Sequence, residues 1–166
     1  MEKNFQTRYS IWGQNNYANE FENFTKLGFI QFIFSSTESG FRLILKAIDQ
    51  QACNNGTAAF KSIYECLLRS KLSQYPQESV ELLDLLRLIR NTIHNNGVYF
   101  HKSGNGESVI YDGTSYDFNI GKPVDFVTWD FIIDISEDIL CLLDKIIRDQ
   151  NVAGINQTIN DPFSHS

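Results

Sequence analysis

The chain has 166 residues, the size of one domain, and 42% of them are hydrophobic, enough for a substantial core. A net charge of −6 and a pI of about 5.0 exclude the broad basic footprint of a nonspecific nucleic-acid binder, though not a small local basic site. Cys53, Cys66 and Cys141 are far apart, with no Cys-x-x-Cys pair, and read as reduced thiols of a cytosolic protein rather than a disulfide frame or a zinc site.

The start, Met1 to Gln6, lacks the apolar core of a signal peptide. The longest apolar stretch, Leu27 to Phe34, contains Gln31 and is too short for a membrane span. A cytoplasmic protein without membrane contact is expected. No repeat or proline-rich linker divides the sequence, so residues 1–166 read as a single domain. Residues 1–16 show no clear period and read as an N-terminal arm packed on it.

From Tyr17 to Gln50 there is no proline, and apolar residues recur at three-to-four spacing, which predicts one long helix or two broken near Gly40. Asn54-Asn55-Gly56 is a turn, Thr57 a candidate N-cap, and Ala58 to Leu72 a second helix. Pro76 is placed to open a third helix, which runs through Val80, Leu82, Leu85, Leu86 and Ile89 to about His94. Asn95-Asn96-Gly97 ends it by supplying a left-handed conformation.

Val98-Tyr99-Phe100 and Val109-Ile110-Tyr111 are β-prone and flank the turn sequence Ser103-Gly104-Asn105-Gly106. Asp112-Gly113 is a second turn. A small hairpin or meander over 98–120 is expected, inserted rather than central and dispensable for folding. Thr128 or Asp125 caps the last long helix, whose stripe includes Ile132, Ile135, Ile139, Leu142 and Ile146. Residues 152–166 read as a frayed or docked tail. The fold class is mainly α: a four-to-five-helix bundle with a β-hairpin between the last two long helices.

The third helix carries the most informative residues. Arg90 and His94 lie within about 40° of each other on a helical wheel, and Arg87 and His94 within about 20°. Arginine stays charged and suits phosphate; histidine trades protons near neutral pH. Asn91 and Asp84 flank them. Leu82, Leu85, Leu86, Ile89 and Ile93 point to the other side, into the core. A solvated outer face is the plain reading of such a stripe, but Val80 and Leu83 lie on it too and imply partial cover, as by another subunit.

This segment resembles the signature of the HEPN superfamily, helical bundles marked by an arginine, four to six residues, then histidine near a helix end, with a polar residue often following the arginine. Arg87 and His94 have six residues between them, but Leu88 follows Arg87. Asn91 follows Arg90, but only three residues then separate Arg90 from His94. Either arginine fits half of the pattern. Ser35 to Arg42, with Glu38 and Arg42, is similar to the polar patch that related bundles set opposite the signature helix. The plain account there is an i,i+4 ion pair.

The resemblance implies a homodimer in which two signature helices meet, and RNA as the ligand. Many HEPN proteins cut RNA without a metal, in toxin–antitoxin or phage-defence systems, and others only bind. Arg87, Arg90 and His94 would be catalytic, and Asn91, Asn95, Glu38 and Arg42 would bind. A neutral histidine takes the proton of a 2′-hydroxyl while arginine holds the phosphate, which needs neither cofactor nor metal and leaves DNA uncut. The alternative is a non-catalytic dimeric interaction module, or a regulator that meets a toxin or antitoxin partner through the hairpin. The apolar stretch Leu27 to Phe34, with Val80 and Leu83, predicts dimerisation through the first and third helices.

Other residues carry less. His101 at a strand end reads as a surface residue. Asp134, Glu137 and Asp138 read as a solvated acidic face. Tyr99, Tyr111 and Tyr116 are aromatics outside the helix-core pattern, the type that stacks on bases.

Overall fold

The computed structural model describes residues 11–54, 58–74 and 77–156; Thr57, Pro76 and the stretches 1–10 and 157–166 lie outside them. The first helix, α1, spans Ile11–Ile48 without a break. Residues 11–16 therefore belong to a helix rather than to an arm, and Gly40 does not divide it. No proline interrupts the stretch, and extending a helix is far easier than nucleating a second one. A lone glycine costs only about 1 kcal/mol. Ile30, Phe34, Thr37, Phe41, Ile44 and Leu45 are buried, one stripe at three-to-four spacing along the C-terminal half.

A short turn, Ala52–Asn54, leads to α2, Phe60–Cys66, which runs into a wider π turn, Leu67–Lys71. The helix expected over 58–72 thus starts later, with Ala59 at its cap and no side-chain cap bond. Cys53 and Cys66 are joined by a disulfide, with Cα atoms 6.4 Å apart. This corrects the expectation of three reduced thiols. Cys53 is left-handed (φ 57°) in the turn that folds the chain back on α2, and spacing along the sequence gives no sign of that proximity. The disulfide removes the thiol argument for a cytosolic location. Among the described residues no helix is long and apolar enough to cross a membrane.

The third helix, α3, spans Gln77–Ile93 and is the centre of the bundle. Leu82, Leu83, Leu85, Leu86, Leu88 and Ile89 are all buried, so the helix is covered nearly all round; its neighbours are α1, α2, the first strand and α4. Val80 and Leu83 are buried within this one chain, which corrects the inference that a second subunit covers them. At its end Asn96 (φ 52°) and Gly97 (φ 83°) are left-handed, and the N–H groups of Asn95 and Gly97 both donate to the Thr92 carbonyl, at 2.9 and 3.0 Å.

Strands β1, Glu107–Tyr111, and β2, Thr114–Phe118, form an antiparallel hairpin in which Val109 faces Tyr116. The turn is Asp112-Gly113, both at positive φ, the two-residue geometry that matches strand twist. Val98-Tyr99-Phe100 is not a strand of this sheet; Val98 makes a single bridge to Pro123. Nor is the region an appendage. Phe118 and Tyr99 are fully buried, and the Tyr116 ring meets Phe126 and Phe131 at 4.9 and 5.7 Å. The β excursion contributes Tyr99 and Phe118 to the core, so it is more than a peripheral insertion.

The last long helix, α4, spans Trp129–Arg148, capped by Thr128, whose hydroxyl accepts from the Phe131 N–H at 3.1 Å. A single turn, α5, Gln150–Ala153, follows, with Asp149 accepting from the Asn151 N–H at 2.9 Å. Val152 is buried, so the beginning of the expected tail is docked. The mainly α bundle with a hairpin between α3 and α4 is the architecture expected from the sequence.

The disulfide closes a loop between residues 13 apart, and loops of that size are worth about 3 kcal/mol through the unfolded chain. Reduction, or Cys53→Ser, should lower the free energy of unfolding by about that amount, read as an earlier midpoint in chemical unfolding. Unchanged unfolding with and without thiol reagent would show that the bond contributes nothing.

Candidate functional site

Asp84, Arg87, Arg90 and His94 follow one another along α3, yet their surroundings differ sharply. Asp84 is half-buried and takes donors from two elements. The Tyr64 hydroxyl donates to its Oδ1 at 2.6 Å, Lys61 Nζ at 3.1 Å, and Arg87 Nε and Nη2 at 3.2 and 3.1 Å. Arg87 also stands 3.7 Å from Glu107 on β1. Glu107 in turn accepts from the Tyr99 hydroxyl at 2.5 Å and lies 3.7 Å from the His101 ring. Arg87 is therefore neutralised by two carboxylates and ties α3 to the hairpin.

Arg90 has no carboxylate partner among the described residues. Its guanidinium sits over the Phe34 ring of α1, 5.1 Å from the centroid, and its Nε is buried with no hydrogen-bond partner. An unpaired buried donor on a cation is costly unless something supplies acceptors. One turn further, His94 is exposed and makes no hydrogen bond among the described residues. Asn91 is half-buried beside Arg90, and Asn95 is exposed next to His94.

The other residues singled out from the sequence are elsewhere occupied. Glu38 Oε1 accepts from Arg42 Nη2 at 2.7 Å, and the same nitrogen donates to the Ala58 carbonyl at 2.8 Å. This pair holds α1 to the start of α2. Phe34 is one turn before Glu38 on α1, so that face does approach α3, but through the aromatic ring. His101 Nδ1 is 2.8 Å from the Ser103 hydroxyl in the loop before β1. Asp138 accepts from the Tyr111 hydroxyl. Among the described residues no group of His, Cys, Asp and Glu is placed to hold a metal ion.

Sequence reasoning missed Tyr64, Glu107 and Phe34. Tyr64 and Asp84 are 20 residues apart, beyond any local pattern. The Asp84–Arg87 pair was legible, since i,i+3 residues are neighbours on a helix. Comparison with protein-family models, curated proteins and solved structures finds no match for this chain.

Burial opposes the charge on Asp84, but hydrogen bonds from Tyr64 and Lys61, and the charges of Lys61 and Arg87, outweigh it and hold the carboxyl below its usual range. Burial, then the carboxylate each one touches, pushes the hydroxyls of Tyr64, Tyr99 and Tyr111 above the usual tyrosine range. The lowered acid contributes stability that is complete above about pH 4 and lost as pH falls through its folded value. The raised tyrosines contribute stability that is complete below about pH 10 and lost as pH rises beyond it. Unfolding midpoints should therefore fall on both flanks, and Tyr64→Phe should cost about 1.5–3 kcal/mol at neutral pH by removing a hydrogen bond to a charged group. A neutral-pH cost near zero would mean that Asp84 needs no donor from α2.

Proposed function

We propose that this chain is a HEPN-like protein that acts on RNA, with Arg90 as the phosphate-holding arginine and His94 as the proton-transfer group. The observation that carries the reading is the contrast between the two arginines. Arg87 is spent on Asp84 and Glu107. Arg90 keeps its charge uncompensated, with a buried unpaired Nε, one turn from an exposed histidine. A phosphate that meets the guanidinium from solvent compensates this charge, while the buried Nε stays beyond a ligand's reach.

In the cleavage step His94, neutral, takes the 2′-hydroxyl proton and the 2′-oxygen attacks phosphorus. The bond to the 5′-oxygen breaks, and that oxygen takes a proton from a protonated His94 of a second copy. A cyclic 2′,3′-phosphate remains. Arg90 steadies the charge that grows on the phosphoryl oxygens. Toxin–antitoxin or phage-defence roles belong to the resemblance alone. A second reading, a non-catalytic interaction module, is favoured by one observation: no group among the described residues orients the His94 ring, and base catalysis works best from a held imidazole.

The test is single-stranded RNA incubated with the protein in EDTA. His94→Ala should lower cleavage by about 10²–10⁴-fold, and Arg90→Ala by about 10²–10³-fold. Arg87→Ala should act mainly through stability, and DNA of the same sequence should survive. Wild-type protein that neither cuts nor binds RNA at low salt would leave the interaction module as the better account.

A further inference from the structure

Residues 17–24 of α1 are exposed throughout and begin an uncovered aromatic stripe that continues to Phe32. Tyr17, Phe21, Phe24 and Phe32 are 63%, 73%, 76% and 70% exposed. With Gly28 they form a stripe about 80° wide, turned about 150° from the face that α1 buries in its own core. A helix of this length without tertiary cover is marginal in water, so such a stripe calls for a partner.

We infer that the partner is a second copy of this chain, paired antiparallel through residues 17–32 of α1. The stripe is its own complement. Reversed about a point between Phe24 and Thr25, Tyr17 falls opposite Phe32 of the second copy, Phe21 opposite Gly28, and Phe24 beside its own counterpart. Gly28 provides the space, since a Cβ built there meets nothing within 4 Å in the chain itself. Glu20 is the charged residue at the stripe's edge, and the reversal sets it near Gln31 of the other copy rather than near a like charge. Past Phe32 the same face turns polar through the exposed Ser35, Ser39 and Lys46, where an antiparallel mate of this length ends.

The area is sufficient. At these exposures, and at ~200 Å² per aromatic side chain, the four rings offer roughly 550 Å² per copy, most of the about 800 Å² per partner of a stable interface. The bundle lies on the far side of α1 from the stripe, so two bundles do not collide. The inference does not need the RNA reading, and its test reads mass rather than cleavage.

The full chain, with Cys141→Ser to remove the exposed thiol, should sediment at micromolar concentration at twice its 19.1 kDa mass. Phe21→Glu with Phe24→Glu should give a monomer whose bundle still unfolds cooperatively, because both side chains are exposed in the single chain. Tyr17→Cys mixed with Phe32→Cys should cross-link on oxidation, while neither variant does so alone. A monomeric wild type, including one whose arm binds lipid vesicles instead, overturns the inference. So does a dimer indifferent to the Glu substitutions. Cross-linking of each Cys variant with itself would mean parallel pairing and overturns the antiparallel register.

Discussion

A carboxylate sunk into a helical bundle has to be supplied with donors, and the way Asp84 is supplied organises this molecule. The hydroxyl of Tyr64 and the ammonium of Lys61 reach it from α2, and Arg87 reaches it from the next turn of α3. Removing one donor from such a group leaves charge unsatisfied, which costs more than the bond itself contributes. Arg87 then carries the link onward to Glu107, and Glu107 to Tyr99, so a chain of charge-assisted contacts joins α2, α3 and the base of the hairpin. The central helix can be packed on most sides because its half-buried Asp84 and Arg87 are answered in this way.

That network divides the polar side of α3 into two parts. Up to Arg87 the side chains are internally compensated and serve the fold. Beyond it, Arg90 rests on an aromatic ring that attracts cations but accepts no N–H in its plane, and His94 stands at the solvent edge. The boundary coincides with the point where α3 approaches α1 rather than α2. Aromatic rings continue the contact behind it: Phe34 meets Phe60 at 5.1 Å, and Phe60 meets Tyr64 at 5.0 Å. Rigid rings thus connect the phenol that serves Asp84 to the ring beneath Arg90.

Much of the fold was legible from period and punctuation. The long proline-free helix, the Thr128 cap and the Asn96-Gly97 stop each depend on neighbours in sequence; the cap and the stop stand as read, and the helix starts earlier than read, at Ile11. Of the β-prone stretches, those on either side of Asp112-Gly113 pair as read, while Val98-Tyr99-Phe100 adds no strand to the sheet. Asp112-Gly113 prevailed since both residues accept positive φ in a two-residue loop. What depended on distant residues was not legible. Burial of Val80 and Leu83 comes from the rest of the chain, the Cys53–Cys66 bond from a left-handed turn, and the difference between the two arginines from Glu107 and Phe34. A helical wheel gives direction but not what waits in that direction, so Arg87 and Arg90 looked equivalent until their partners were known.

The bond between Cys53 and Cys66 spans the whole of α2, the element that delivers both Tyr64 and Lys61 to Asp84. A peptide bond cut anywhere between the two cysteines therefore severs the backbone without parting the molecule. The N-terminal piece with α1 and the C-terminal piece with α3 remain one covalent body, two chains joined by the disulfide alone. Only a reducing environment turns such a nick into two fragments, so the compartment's redox poise decides whether a cleavage there is silent or dismantling.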